Sequence, residues 1–136
     1  MASVTTIEGI GPRNAGKLGK CGIKTCEKLL EEGATRKGRN AIAKEAGLDA
    51  KQVLEWVNRA DLMRVKGVSR QYSDLLEAAG VDTVKELRRR NAENLTEAME
   101  AANNRRKNKL VQRTPSVKVV TKWIDSAKEL EPVVKY

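Results

Sequence analysis

Histidine and phenylalanine are both absent from this chain of 136 residues, and aromatic residues make up only 3% of it. Without histidine the commonest general base is missing, and neither a Ser-His-Asp set nor a Cys-His pair can form. The carboxylates are scattered, and the complete Gly-x-x-x-x-Gly-Lys-Ser/Thr loop that holds nucleotide phosphates is missing too. We therefore expect no catalytic activity and no small-molecule substrate.

Cysteine is also scarce, since Cys21 and Cys26 are the only two thiols. A zinc site generally takes four Cys or His ligands, so we expect neither a metal nor another cofactor. We interpret both cysteines as small buried residues, and a reversible disulfide is the alternative.

Long apolar runs are missing as well. No run approaches the roughly 18 residues that a membrane span requires. The N-terminus has no basic segment followed by an apolar one, as a secretory signal would have. We therefore expect a cytoplasmic location and no membrane partner.

Helix signals recur along the chain, and strand alternation does not, so the sequence predicts an all-α fold. With few aromatics, the core must come from aliphatic residues together with Trp56 and Trp123. Asp49 and Gln52 form a capping-box pattern, and Asn91 can cap the helix that follows it. The predicted helices cover residues 12–20, 26–32 with Thr25 as the cap, 40–46, 49–60, 70–79, 83–90, 92–102 and 114–130.

An internal repeat appears when residues 7–29 are aligned with residues 65–87. Further along, Trp56 resembles Trp123 at a longer offset, so the second copy contains an insertion near residues 103–114. We predict two tandem units, residues 1–61 and residues 62–136. The first alignment pairs glycine, threonine or leucine with itself and isoleucine with valine: Gly9 with Gly67, Leu18 with Leu76, Gly22 with Gly80, Thr25 with Thr83, Leu29 with Leu87, and Ile7, Ile10 and Ile23 with Val65, Val68 and Val81.

Residues 7–15 read apolar-x-Gly-apolar-Gly-x-x-x-Ala, which resembles the hairpin of the helix-hairpin-helix family. The tandem arrangement more closely resembles small bacterial proteins of uncharacterised function with paired units of this kind, and implies a SAM-like helical bundle. In DNA-binding members a phosphate rests on the hairpin amides. The resemblance implies that role for the backbones of Gly9, Ile10 and Gly11, with charge added by Arg13 and Lys17.

The second copy departs from this pattern, because Ser69 replaces the second glycine. We predict that the Ser69 hydroxyl caps the following helix, which would occupy an N–H group that a phosphate needs. Gly67, Ser69 and Arg70 are the corresponding candidate contacts, and Lys66 adds charge. The apolar hairpin residues are interpreted as core residues. Tyr72 and the two tryptophans are interpreted as core or interface residues rather than base-stacking platforms, because single-strand binders usually expose several aromatics and this chain has few.

The net charge is +9 and the isoelectric point is about 9.8, which favours an anionic partner. We predict a non-enzymatic, sequence-independent DNA-binding module that contacts duplex phosphates, associated with the nucleoid. The alternatives are a protein-docking or dimerisation module, an RNA partner, and basic runs that are only solvated surface. Two basic clusters stand out: Lys85 with Arg88, Arg89 and Arg90, and Arg105, Arg106, Lys107 and Lys109 with Arg113.

Overall fold

The computed structural model describes residues 2–7 and 9–136, and over these ranges the chain is helical. Apart from one isolated bridge between Ser3 and Thr25, the described residues form no β-structure, so the all-α prediction is confirmed. A 3-10 turn at Val4–Thr6 precedes the helices α1 (Pro12–Lys20), α2 (Cys26–Glu32), α3 (Arg36–Ala46), α4 (Ala50–Leu62), α5 (Arg70–Ala78), α6 (Val84–Leu87), α7 (Ala92–Asn104) and α8 (Val117–Glu129).

Local capping explains where several helices begin. Thr25 accepts a hydrogen bond from the N–H of Lys28 at 3.1 Å, and Asn91 accepts one from the N–H of Asn94 at 3.0 Å. Each bond satisfies one of the N–H groups that a helix leaves unpaired in its first turn. These starts agree with the sequence prediction.

Three predicted boundaries are displaced by three or more residues. α3 begins at Arg36 rather than residue 40, because Thr35 caps it through the N–H of Gly38. α8 begins at Val117 rather than residue 114, because the cap is Ser116 and not the Thr-Pro pair. α6 ends at Leu87 rather than residue 90, since the chain tightens there into i→i−3 hydrogen bonds.

The chain divides into two compact units between Asp61 and Leu62. The last residues, Val133–Tyr136, belong to the first unit, which corrects their assignment to the second repeat. The N–H of Lys135 donates to the carbonyl oxygen of Ala34 at 2.7 Å, and this bond attaches the terminal segment to the first unit. Nothing in the local sequence of this segment indicates that attachment.

Arg39 holds the same segment from inside the first unit. Its side chain is only 4% exposed and donates to the carbonyl oxygens of Gly33, Ala34 and Lys135 at 2.9, 3.1 and 2.7 Å. Burial lowers the pKa of Arg39. A guanidinium can be buried here because backbone carbonyls take up its donors.

Each unit is built around a buried tryptophan, as predicted for the core. Trp56 lies with Leu18, Leu29 and Val53 among the buried residues of the first unit. Trp123 packs in the second unit's aliphatic core, with the half-buried Tyr72 against it.

No helix in the described part of the chain is long and apolar enough to cross a membrane.

Candidate nucleic-acid interface

The first glycine turn, named here by its described residues 7 and 9–11, leads into α1. The N–H of Ile10 donates to the carbonyl oxygen of Ile7 at 3.2 Å, and Gly9 has a φ of +92°. Glycine is the residue that tolerates this φ at the third position of such a turn. A Cβ at Gly9 would lie 3.3 Å from Nε1 of Trp56, so the turn rests directly on that indole.

The second glycine turn, residues 65–69, has the same geometry before α5. The N–H of Val68 donates to the carbonyl oxygen of Val65 at 3.0 Å, and Gly67 has a φ of +90°. A Cβ at Gly67 would lie 3.2 Å from Nε1 of Trp123. A glycine of positive φ lies against an indole in each unit, a contact that the sequence pattern alone did not indicate.

Neither turn provides a side-chain cap for the helix that follows it. Gly11 has φ and ψ of −81° and −178°, and Ser69 has −91° and −178°. The Ser69 hydroxyl makes no capping bond, so the predicted cap is wrong. Ser69 takes the backbone conformation of Gly11, whereas the described capping residues have ψ between 128° and 167°.

This absence separates α1 and α5 from five other helices, each of which has a side-chain cap at its start. The first N–H groups of any helix have no partner within it. At α1 and α5 the N-cap side chain does not take them up, so an external acceptor can approach. Side chains cap the starts of α2, α3, α6, α7 and α8: Thr25, Thr35, Thr83, Asn91 and Ser116.

The candidate residues of the two turns differ in accessibility. Gly9, Gly11 and Arg13 are exposed, and Lys17 is half-buried on α1. Ile10 is buried and its N–H already closes the turn, which corrects its prediction as a phosphate donor. In the second turn the exposed candidates are Gly67, Ser69 and Arg70.

A cavity of about 520 Å³ lies beside the second glycine turn. The rings of Tyr72 and Trp123 lie 5.0 Å apart with a tilt of 56°. No local sequence pattern indicates this cavity, because its residues come from three separate segments. It is lined by Lys66, Gly67, Tyr72, Val119, Lys122, Trp123, Ser126 and Glu129.

Part of the first basic cluster forms a cationic depression of about 410 Å³. Lys85, Arg88 and Arg89 line it together with Lys128 and Pro132, and no carboxylate is among these lining residues. The guanidinium of Arg88 donates to the carbonyl oxygen of Lys128 at 3.4 Å, which joins α8 to the cluster. No local pattern in the sequence indicates that Lys128 shares this surface with the first basic cluster.

Arg90 is directed elsewhere, since its Nη1 lies 3.8 Å from Oε1 of Glu86. The two residues are four apart in the chain, and Arg90 lies just beyond the end of α6. Arg90 is not among the residues that line the cationic depression, although the sequence grouped it with them.

The second basic cluster lies on a loop that Asn103 closes. The Asn103 side chain is 2% exposed, donates to the carbonyl oxygen of Val111 at 3.0 Å and accepts from the N–H of Leu110 at 2.9 Å. A buried amide thus joins the two ends of the loop. Its cations are all exposed: Arg105, Arg106, Lys107 and Lys109, with Arg113 just beyond it.

The two cysteines are free thiols in different surroundings. Cys26 is buried as predicted, whereas Cys21 is only half-buried, because it lies at the end of α1. Burial raises the pKa of both thiols, which disfavours the reactive thiolate. Within the described residues, no group of three or more Cys, Asp or Glu side chains could hold a metal ion.

Comparison with known proteins places the chain in a family. No curated protein matches it, and no solved structure matches it. A family model described as Domain of unknown function (DUF4332) matches residues 8–130. An uncharacterised family agrees with the expectation from the sequence. Because the match covers well over half of its residues, the chain belongs to the DUF4332 family.

Proposed function

We propose that this protein is a non-enzymatic module that binds duplex DNA through backbone phosphates, without reading the base sequence. In this proposal the two glycine turns and their flanking helices are tandem helix-hairpin-helix units. The observation that carries the proposal is that both turns lead into helices without a side-chain cap.

The physical basis is the chemistry of a helix start. Unpaired N–H groups and the positive end of the helix dipole favour an anion there. Exposed cations lie beside both turns: Arg13 at the first, and Lys66 with Arg70 at the second. The uncapped geometry at Ser69 removes the reason for expecting weaker phosphate binding at the second turn.

The basic clusters provide the long-range attraction. The cationic depression brings Lys85, Arg88, Arg89 and Lys128 together, and the loop closed by Asn103 presents further exposed cations. Contacts of this kind position a protein on nucleic acid but do not distinguish base pairs. A nucleoid-associated cytoplasmic location is part of the proposal.

The first test is fluorescence anisotropy of a labelled duplex at several salt concentrations. If about four phosphates are neutralised, the logarithm of the binding constant falls against the logarithm of salt with a slope of about −3.6. Affinity that does not change with salt would refute phosphate binding.

Gly11→Val tests the first turn with little expected effect on folding. The backbone at Gly11 is extended, which valine adopts readily, and no atom lies within 4 Å of the added Cβ. The larger side chain should keep a phosphate from the amides and weaken binding by about tenfold. Unchanged affinity in a folded variant would remove this turn from the interface.

Charge reversal tests the loop, and the chain offers a matched control. Replacing Arg105, Arg106 and Lys107 by glutamate should weaken binding and reduce the salt slope by about one for each lost phosphate contact. The control replaces three exposed lysines outside both turns and both clusters, with the same change in net charge. Equal losses in the two variants would contradict a specific role for the loop. The control lysines are Lys24, Lys37 and Lys44.

The second candidate function is a protein-docking module. Val117 and Val119 on α8 are 41% and 38% exposed, so apolar surface on this helix is available to a protein partner. Absence of binding to duplex DNA and duplex RNA at low salt would favour this function. Binding to RNA in preference to DNA would change the partner but keep the phosphate chemistry.

A further inference from the structure

We propose that the cavity beside the second glycine turn binds the base of an unpaired nucleotide. This inference rests on the proposed function, because a phosphate at the start of α5 brings the attached nucleoside close to the cavity. The protein, which is otherwise proposed to bind the phosphates of duplex DNA, would then also bind single strands.

An aromatic wall is the first observation. Tyr72 and Trp123 both line the cavity, and their rings lie 5.0 Å apart at 56°. Trp123 is only 2% exposed, so the half-buried Tyr72 presents the stacking surface and Trp123 supports it from the core. Val119 adds an apolar surface that is 38% exposed. Aromatic and apolar walls suit the flat face of a base, which stacks on such side chains whatever its identity.

Charge and hydrogen-bonding groups are the second observation. The exposed lysines Lys66 and Lys122 line the cavity, so a phosphate attached to the base would meet positive charge. Ser126 and Glu129 line it too, and their oxygens can accept from the edge of a base. An uncharged apolar ligand would leave both lysines without a role.

At the aligned positions the first copy lacks the tyrosine and the two lysines of this cavity. Asn14 stands where the second copy has Tyr72, and its side chain donates to the carbonyl oxygen of Gly9 at 3.3 Å. Glu8 and Glu55 stand in the sequence where the second copy has Lys66 and Lys122. The aromatic residue and the cations therefore distinguish the second turn and assign the base site to it.

The ligand is an unpaired nucleotide because a paired base is stacked between its neighbours within a duplex. A base that enters a protein cavity must be unstacked, which costs least in a single strand. The cavity of about 520 Å³ lies at the surface next to the exposed Gly67, so a flexible strand can reach it.

The deciding experiment compares two oligonucleotides of about twelve units with the intact protein, a length within the usual range of single-strand sites. One is oligothymidylate and the other is an abasic strand with the same phosphates. We expect the thymidylate to bind at least about fivefold more tightly, the gain typical of one stacked base. Equal affinities would overturn the base site.

Two glutamate substitutions on α8 locate the site. Val119→Glu places a carboxylate in the cavity and should abolish the preference for the base-containing strand. Val117→Glu makes the same change of charge on the same helix, but Val117 does not line the cavity. It should keep the preference, and equal behaviour of the two variants would contradict this location.

Substitutions of the ring complete the test. Tyr72→Phe keeps the stacking surface and should retain the preference, whereas Tyr72→Ala should lose it, and Asn14→Ala is the control in the first unit. If Tyr72→Ala does not fold, the comparison of Val119→Glu with Val117→Glu still tests where the base binds.

The failures of the two proposals are distinguishable. Salt-dependent duplex binding without a base preference overturns this inference and leaves the proposed function standing. Lack of binding to any nucleic acid overturns both. RNA and DNA strands of equal length show which sugar the site accepts.

Discussion

Replacing Gly9 by alanine tests how the glycine turns are held. Gly9 has a φ of +92°, and a Cβ placed there would lie 3.3 Å from Nε1 of Trp56. The substitution therefore adds two costs, one in the backbone and one in the contact with the indole. Trp56 is only 3% exposed, so its ring has little room to move away.

The expected loss follows from these two costs. A non-glycine residue at positive φ loses about 1–2 kcal/mol of stability. Crowding of a packed indole adds about 1 kcal/mol, at the lower end of the range for overpacking. Gly9→Ala should therefore lower the free energy of unfolding by about 2–3 kcal/mol.

Two glycines of the same unit separate the costs. Gly22 has a φ of +81° with no atom within 4 Å of an added Cβ, so Gly22→Ala should lose only the backbone cost of about 1–2 kcal/mol. Gly11 has a φ of −81° and equally open surroundings. Gly11→Ala should change stability by no more than about 0.5 kcal/mol, since the entropy gain and the poorer N-cap offset each other.

Urea denaturation followed by circular dichroism and tryptophan fluorescence measures all three variants, with the shift in midpoint converted through a common slope. The expected order of loss is Gly9, then Gly22, then Gly11. Equal losses for Gly9→Ala and Gly22→Ala would show that the contact with Trp56 costs nothing. A large loss for Gly11→Ala would refute the explanation from positive φ.

Two further predictions concern the loop and the titration of one carboxylate. Asn103→Ala removes the amide that closes the basic loop, so stability should fall by about 1–3 kcal/mol and trypsin should cut within residues 105–109 faster than in the parent protein. A cleavage rate equal to the parent's would refute closure by Asn103. Burial raises the pKa of Asp82, and nearby Glu77 and Glu86 raise it further, so the ionised form weakens the folded state at neutral pH. Asp82→Asn should therefore raise stability at pH 7 by a few tenths of a kcal/mol, and the gain should vanish below the ordinary pKa of 3.8, where the carboxyl is protonated in both states. A gain that persists at low pH in urea melts would contradict the electrostatic cause.

Features encoded by neighbouring residues could be read from the sequence. α1 and α2 have the predicted bounds because Pro12, Thr25 and Gly33 act within a single helical turn of the ends they define. The prediction that Trp56 and Trp123 are core residues is confirmed. It depended on composition, because the chain has few other large apolar side chains. The glycine motifs likewise identified both turns, because a positive φ is a property of one residue.

Features that join distant parts of the chain could not be read in this way. Lys128 reaches the cationic depression through the packing of α8, and Arg39 holds a carbonyl near the end of the chain. Ser69 has the composition of a cap, yet its backbone follows the turn before it. The cavity beside Gly67 likewise forms only when α8 packs against the second turn.

The sequence by itself determined the all-α class, the two glycine turns and the excess of positive charge, because each depends on residue type or short spacing. Tertiary structure alone decided which cations share a surface, which amides are left uncapped and where a ring lines a cavity. These depend on the relative positions of helices, which are set by side-chain packing across many residues and not by any local pattern.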